Sequence, residues 1–440
     1  MIDQIVAKAG GMEISQRVRD LAGTALRDCS ERFSEIDDVT QVNTEKVLSA
    51  FKVHRVSDVC FNSTTGYGYN DRGRETLDRI FADVMGTGEA LVRTGFVNGT
   101  HAITAALFAA LRPGQSLLSV TGTPYDTLLG VIGVSGSQRG SLKDYGVGYV
   151  QTDITRKDSA GVEESRDIDC AAVTDALGAS RGVRAVYIQR SRGYSDRRAL
   201  TVSEIGAICA AVHDSDPEIA VIVDNCYGEF TEIIEPGDAG ADIIAGSLIK
   251  NPGGGVAPAG GYVAGCRELV EAAAGRLTSP GIGGECGATL GVNRLLFQGL
   301  FLAPHTVAQA MKTAVFCARL FELMGYKTSP GYLDQRSDII QTIELGSPEL
   351  LELFCKGIQS GAPVDSFVTP EPWDMPGYDC PVIMAAGSFI QGSSIELSAD
   401  GPMREPYRAY LQGGLTFESG KLGIMLAASM MEQRGAEKYG

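Results

Sequence analysis

A chain of 440 residues leaves room for two or three domains. Its 44% hydrophobic and 21% charged content is the balance of a globular protein. A net charge of −16 argues against nucleic acid and anionic membranes as partners, so any anionic ligand must be held by local donors.

No apolar run reaches membrane-spanning length, and Met1-Ile2-Asp3-Gln4 lacks the basic and apolar regions of a signal peptide, so a cytoplasmic location is expected. The ten cysteines are scattered without C-x-x-C or paired metal spacing, and read as reduced thiols with no metal site. Residues 1–60 read as a helical arm, with Asn43 placed to cap a helix that carries Val47, Leu48 and Phe51 on one face. Residues 61–310 alternate short apolar runs with amphipathic ones. Strands are expected at 117–120, 185–188, 220–223, 242–245 and 261–264, with helices at 101–111 and 202–212. That alternation implies an α/β domain with a mostly parallel sheet, which binds ligands at the carboxyl ends of its strands. From 311 to 440 a helix over 311–324 leads into a mixed segment, with strands expected at 338–343 and 382–385, and reads as a smaller α+β domain.

Several polar segments lie before and between these strands. Thr65-Gly66-Tyr67-Gly68-Tyr69, with Arg72 and Arg74 behind it, offers phosphate donors or surface ion pairs. Asn98-Gly99-Thr100-His101 precedes a helix and is either a phosphate cradle or an ordinary cap, with His101 structural or stacking. Thr123-Pro124-Tyr125-Asp126 puts a tyrosine where it can lie on a planar ring and shuttle protons. Gln189-Arg190-Ser191-Arg192 is a solvated basic loop or a set of contacts to a cofactor ring and an acidic substrate. The apolar run 220–223 ends in Asp224, and 242–245 runs on through Ser247 to Lys250. A lysine there is expected to be desolvated and its pKa lowered, which makes its amine a nucleophile towards carbonyls. The pair suits pyridoxal phosphate: the lysine forms the Schiff base and the carboxylate keeps the ring nitrogen protonated. A surface lysine and a capping aspartate would leave the same letters. Cys226 has no histidine placed to serve it and reads as a packed thiol. Arg404, behind Ser398-Ala399-Asp400-Gly401, is placed to bind a substrate carboxylate or to form a surface ion pair.

Taken together, these segments resemble the bacterial aluminium-resistance or methionine γ-lyase-like family of the cystathionine-metabolism group. The resemblance covers residue 40 to the end. It rests on Ser63-Thr64-Thr65-Gly66-Tyr67-Gly68-Tyr69, on Gly99-Thr100-His101-Ala102 and on Val120-Thr121-Gly122-Thr123-Pro124-Tyr125. It continues through Gln189-Arg190-Ser191-Arg192-Gly193-Tyr194, Asp224-Asn225-Cys226-Tyr227-Gly228-Glu229, Gly246-Ser247-Leu248-Ile249-Lys250-Asn251-Pro252-Gly253 and Met375-Pro376-Gly377-Tyr378. The resemblance implies a fold-type-I pyridoxal-phosphate-dependent transferase fold, aspartate-aminotransferase-like, as a homodimer or homotetramer with shared active sites. It implies Lys250 as the Schiff-base lysine, Asp224 as the partner of the ring nitrogen and Tyr125 as the stacking tyrosine. It also implies a phosphate cradle of Gly99, Thr100 and Ser247, completed by Tyr67 from a neighbouring subunit. Gly68 and Tyr69 stand where the broader group has an arginine, and Ile249 replaces its usual hydroxyl residue before the lysine.

The expected activity is carbon–sulfur lysis of a sulfur-containing amino acid. Other outcomes on the same cofactor remain open, namely transamination, aldol cleavage or γ-replacement. A low-turnover cofactor-binding protein of stress or metal tolerance is a further alternative. The glycines at 253–255 do not form the strand–GxGxxG–helix unit of a nicotinamide dehydrogenase.

Overall fold

The computed structural model describes residues 12–136, 139–157, 163–375 and 380–439. Among them, residues 38–307 with 336–338 gather into one compact unit, and 12–37, 308–335 and 339–439 into another. The expected arm of residues 1–60 is divided, because the boundary at 37/38 falls inside the helix Ser30–Val53. A second boundary, at 307/308, falls inside the helix Asn293–Leu323. Residues 376–378 of the motif Met375-Pro376-Gly377-Tyr378 lie outside the described residues.

The larger unit is an α/β layer structure. Its strands are β1 (Glu89–Arg93), β2 (Ser116–Ser119), β3 (Gly148–Gln151), the separate pair β4 (Thr155–Lys157) and β5 (Glu163–Ile168), then β6 (Val183–Gln189), β7 (Ala220–Asp224), β8 (Ile243–Ser247) and β9 (Gly261–Gly265). Seven of them form one sheet in the order β1-β9-β8-β7-β6-β2-β3. The pairs among β8, β7, β6, β2 and β3 are all parallel, and β9 runs antiparallel to both of its neighbours. Helices cover the sheet, so its strands are buried on both faces and read as unbroken apolar runs. Leu117, Ala185, Ile222, Ile243 and Val263 join Ala102, Ala106 and Ala273 in one such layer. All five expected strands of this unit are present; β1, β3 and the pair β4 and β5 are additional.

Register places the chemistry. Gln189 at the end of β6 lies beside Asp224 at the end of β7, and Asp224 lies beside Ala245 in β8. The carboxyl ends of three adjacent parallel strands thus deliver Gln189, Asp224 and Ser247 to one edge of the sheet.

Asn43 differs from its expected role. It sits inside the helix Ser30–Val53, not at its start, and is fully buried. Its amide nitrogen donates to the carbonyls of Phe230 (3.3 Å) and Glu232 (2.9 Å), so the polar side chain braces a distant turn and does not cap the helix.

The other unit carries an antiparallel sheet, β10 (Lys327–Ser329), β11 (Ile340–Glu344), β12 (Val382–Ala386), β13 (Ser398–Pro402) and β14 (Arg408–Gln412), in the order β10-β11-β14-β13-β12. The helices Pro348–Ser360 and Phe417–Tyr439 pack on it through Leu351, Phe354, Ile358, Ile424 and Ala427. Their axes approach closely where Gly357 faces Ala427.

Candidate active site

Asp224 ends β7 almost wholly buried. Its Oδ2 accepts from the Tyr187 hydroxyl at 3.2 Å and its Oδ1 from the Cys226 N–H at 3.1 Å. Burial raises this carboxyl above its ordinary pKa, against the opposing pull of Lys250 and the two hydrogen-bond donors.

Lys250 follows β8 after a tight turn in which its N–H reaches the Ser247 carbonyl at 3.3 Å. Its Nζ stands 4.0 Å from the centroid of the Tyr227 ring. The expected lowering of the amine pKa is not what the surroundings produce. Burial does pull it down, but Cys226, Tyr227, Asp224 and Tyr125 together hold it above the usual lysine value. The protein by itself keeps this amine an ammonium.

Tyr125 precedes the short helix Asp126–Ile132. Its hydroxyl donates to Thr100 Oγ1 at 3.0 Å, and its N–H donates to Gln189 Oε1 at 3.1 Å. Burial, then the nearby Asp224 charge, keep the phenol protonated far above neutrality. Gln189 is therefore a holder of Tyr125, and its own N–H is fixed to Thr121 Oγ1 at 3.1 Å.

The helix Gly99–Ala110 is capped by Asn98, whose side chain accepts from the His101 N–H at 2.9 Å. Its first turn packs directly on the end of β8: a Cβ on Gly99 would stand 3.2 Å from both Cys226 Sγ and Ser247 Cβ. Ser247 Oγ, buried beside that turn, has no hydrogen-bond partner among the described residues. A buried donor without a partner at a helix start is what an anionic ligand would satisfy. The His101 ring instead accepts from the Val97 N–H at 3.3 Å and lies edge-on to Phe96, a structural placement.

Arg190 is a correction. It is fully buried and donates to Asn225 Oδ1 at 2.7 Å, Glu232 at 2.8 Å, Thr231 Oγ1 at 3.3 Å and Glu235 at 3.4 Å. Two carboxylates and a turn consume its charge, leaving none for a substrate. Arg74 is likewise buried and spent on the carbonyls of Gly68, Gly287 and Glu285, so the phosphate-donor reading does not hold for it. Tyr67 is 66% exposed and stacks on Tyr69 with ring centroids 5.4 Å apart. Arg404 belongs to the other unit, exposed in the turn between β13 and β14.

Neither Tyr187 nor Tyr227 stands out in the sequence as a site residue. Tyr187 looked like strand filler, although its position two residues before Gln189 puts its ring on the face where Asp224 is bonded. Tyr227 carries no sequence signal, because its left-handed backbone, φ 71°, is a conformation that tyrosine rarely adopts.

An amine, a buried carboxyl, a protonated phenol and an anion-ready helix start, gathered at strand ends of an open parallel sheet, define an enzyme of the fold-type-I class. The chain belongs to the methionine gamma-lyase family, whose model matches residues 18–432. It is similar to the carbon-sulfur lyase involved in aluminum resistance from Clostridium novyi, 50% identical over 97% of this chain and 98% of that one, with a TM-score of 0.90. A Clostridium acetobutylicum protein described as a proposed cystathionine beta-lyase involved in aluminum resistance is 49% identical over 95% of this chain and 96% of its own, also at TM-score 0.90. The pyridoxal-5'-phosphate dependent protein YhfS from Escherichia coli, 16% identical over 90% of this chain and 97% of its own, shares the fold at TM-score 0.59.

Proposed function

We propose that this enzyme is a pyridoxal-phosphate-dependent carbon–sulfur lyase acting on a sulfur-containing amino acid of the cystathionine or methionine type. The observation that carries the reading is the convergence of Lys250, Asp224, Tyr125, Thr100 and Ser247 on one sheet edge.

The donor set fits the cofactor. The unpartnered Ser247 Oγ and the crowded helix start at Gly99 and Thr100 suit a phosphate ester, Asp224 suits a protonated ring nitrogen, and Lys250 suits an aldehyde. When bound, pyridoxal phosphate supplies an electron-poor ring that stabilises negative charge at the substrate Cα. Asp224, braced by Tyr187 and the Cys226 N–H, holds the counter-charge for the ring nitrogen. Lys250 Nζ carries the cofactor, and once freed it takes the Cα proton. Tyr125 presents its ring for stacking, and its protonated hydroxyl is the donor for the departing thiolate. Gln189 fixes the backbone of Tyr125 so that the ring keeps its place.

Full-length protein reconstituted with pyridoxal phosphate should release thiol, ammonia and 2-oxo acid in equal amounts from at least one member of a sulfur amino-acid panel. Lys250→Ala should lose the visible absorbance of the bound cofactor and at least about 100-fold in rate. Release of a 2-oxo acid with neither thiol nor ammonia would assign transamination instead, and wild-type absorbance that survives in Lys250→Ala would refute the lysine assignment.

A further inference from the structure

Tyr227 lies under the Lys250 amine at a conformational cost. Its φ of 71° is left-handed, and Phe230, three residues on, has φ 63°. Two such residues within one short turn persist only when the surroundings hold them.

The hold is built from elements that no direct step of the proposed chemistry uses. Asn225 gives its N–H to the Ala245 carbonyl at 3.0 Å, accepts from Arg190 at 2.7 Å and donates to Glu235 Oε2 at 3.0 Å. The Gly228 N–H closes the turn on the Asn225 carbonyl at 2.9 Å. A Cβ on Gly228 would stand 2.5 Å from Arg190 Cδ, so only glycine lets that side chain lie against the turn. Glu235 Oε1 accepts from the Phe230 N–H at 2.8 Å, and Asn43 Nδ2 donates to the Phe230 carbonyl at 3.3 Å. Everything in this frame is buried, and what it presents to the site is the face of one aromatic ring.

We propose that Tyr227 is the seat of the Lys250 amine: its ring face holds the amine as an ammonium whenever the amine is not joined to the cofactor, and the Arg190–Asn225–Glu235 frame holds the ring. The inference rests on the reading of Lys250 as the cofactor-bearing lysine. An aromatic face suits this task because it attracts a cation through its quadrupole without taking the proton itself. A carboxylate in the same place would lock the amine into an ion pair. The other groups bearing on Nζ are Cys226 in the same turn, Asp224 at the end of β7, Tyr125 ahead of the helix Asp126–Ile132 and Glu229 two residues past Tyr227. Among them Asp224 is the carboxylate at the strand end, and Tyr227 is the group whose ring face lies against Nζ, at 4.0 Å from its centroid.

The test follows attachment of pyridoxal phosphate to Lys250 in the full-length chain, trapped with borohydride and located by peptide mass between pH 6 and 10. Attack requires the unprotonated amine, whose midpoint lies above this range, so at each pH within it the rate scales with the unprotonated fraction and reports a shift of the midpoint. Tyr227→Phe keeps the ring and should keep the wild-type midpoint. Tyr227→Leu should lower it by roughly half to one pH unit, so that trapping at pH 7 is about 3- to 10-fold faster. If Tyr227→Leu fails to fold, as read by its thermal melt, Tyr227→Asn replaces it, because asparagine tolerates left-handed backbone. An unshifted midpoint in the ring-less variant, or an equal shift in Tyr227→Phe, would overturn the seat. Absence of any adduct at Lys250 in the wild type would instead sink the reading of the lysine itself, and the seat with it.

Discussion

Glu229 shows how one buried residue can couple the site to pH. It is fully buried, its Oε1 accepts from the Tyr262 hydroxyl at 3.0 Å, and its Oε2 has no partner among the described residues. Burial, reinforced by Glu235, pushes its carboxyl up to about 8, against the pull of Tyr262 and Lys250. The folded chain therefore keeps a proton that the unfolded chain has already lost above an ordinary carboxyl pKa. Stability from this group is fully present below the unfolded value, and falls as pH rises from there through about 8. The slope is at most about 1.4 kcal/mol per pH unit. Glu229→Gln keeps the shape and carries no titratable proton. Thermal melts from pH 5 to 8.5 should show a wild-type decline that the glutamine variant lacks; parallel curves would place the proton elsewhere. Nothing in the letters Tyr227-Gly228-Glu229 announces this, because a glutamate is ordinarily solvated and only the packing of Tyr262 over it removes the water.

Elements decide how the site residues meet. The strands at β6, β7 and β8 were legible because parallel strands covered on both faces are continuously apolar, and the polar residue that ends each run marks the mouth. β1 and β3 were not, since Glu89-Ala90-Leu91-Val92-Arg93 and Gly148-Tyr149-Val150-Gln151 are short and bounded by polar or flexible residues. The helix Asn293–Leu323 was recognised only from 311, because Pro304 interrupts the pattern that would have carried it back. The helix Gly99–Ala110 makes the sharpest demand on the site. Gly99→Ala adds a methyl 3.2 Å from Cys226 Sγ and Ser247 Cβ, tight enough to press the first turn away from β8. The fold should survive while the dissociation constant for pyridoxal phosphate, followed by visible absorbance, rises about 10-fold. An unchanged constant would mean that the phosphate is not held at this turn.

On the scale of the whole molecule, two units are built by different rules. One is a parallel sheet wrapped by helices, the other an antiparallel sheet with helices packed on it. In the second, a Cβ on Gly357 would come within 2.2 Å of Ala427 Cα, a backbone atom that cannot swing aside. Alanine is the better helix former by about 1 kcal/mol, but overpacking against a fixed backbone costs about 1–3 kcal/mol. The clash wins, so Gly357→Ala should lower the urea midpoint of this unit, and a raised midpoint would show that the helices can separate freely. The sequence by itself determined the α/β class, the strands β2, β6, β7, β8 and β9 and the family, and it put Asp224 at the end of one strand and Lys250 just past another, because hydrophobic period and motif order are local properties of the chain. Only the tertiary structure decided that Arg190 is a buried brace, that Asn43 ties down a turn and not a helix start, and that Tyr227 sits beneath the lysine. Those outcomes depend on which partners surround a side chain after folding, and a polar letter reads the same whether its charge faces water or two carboxylates.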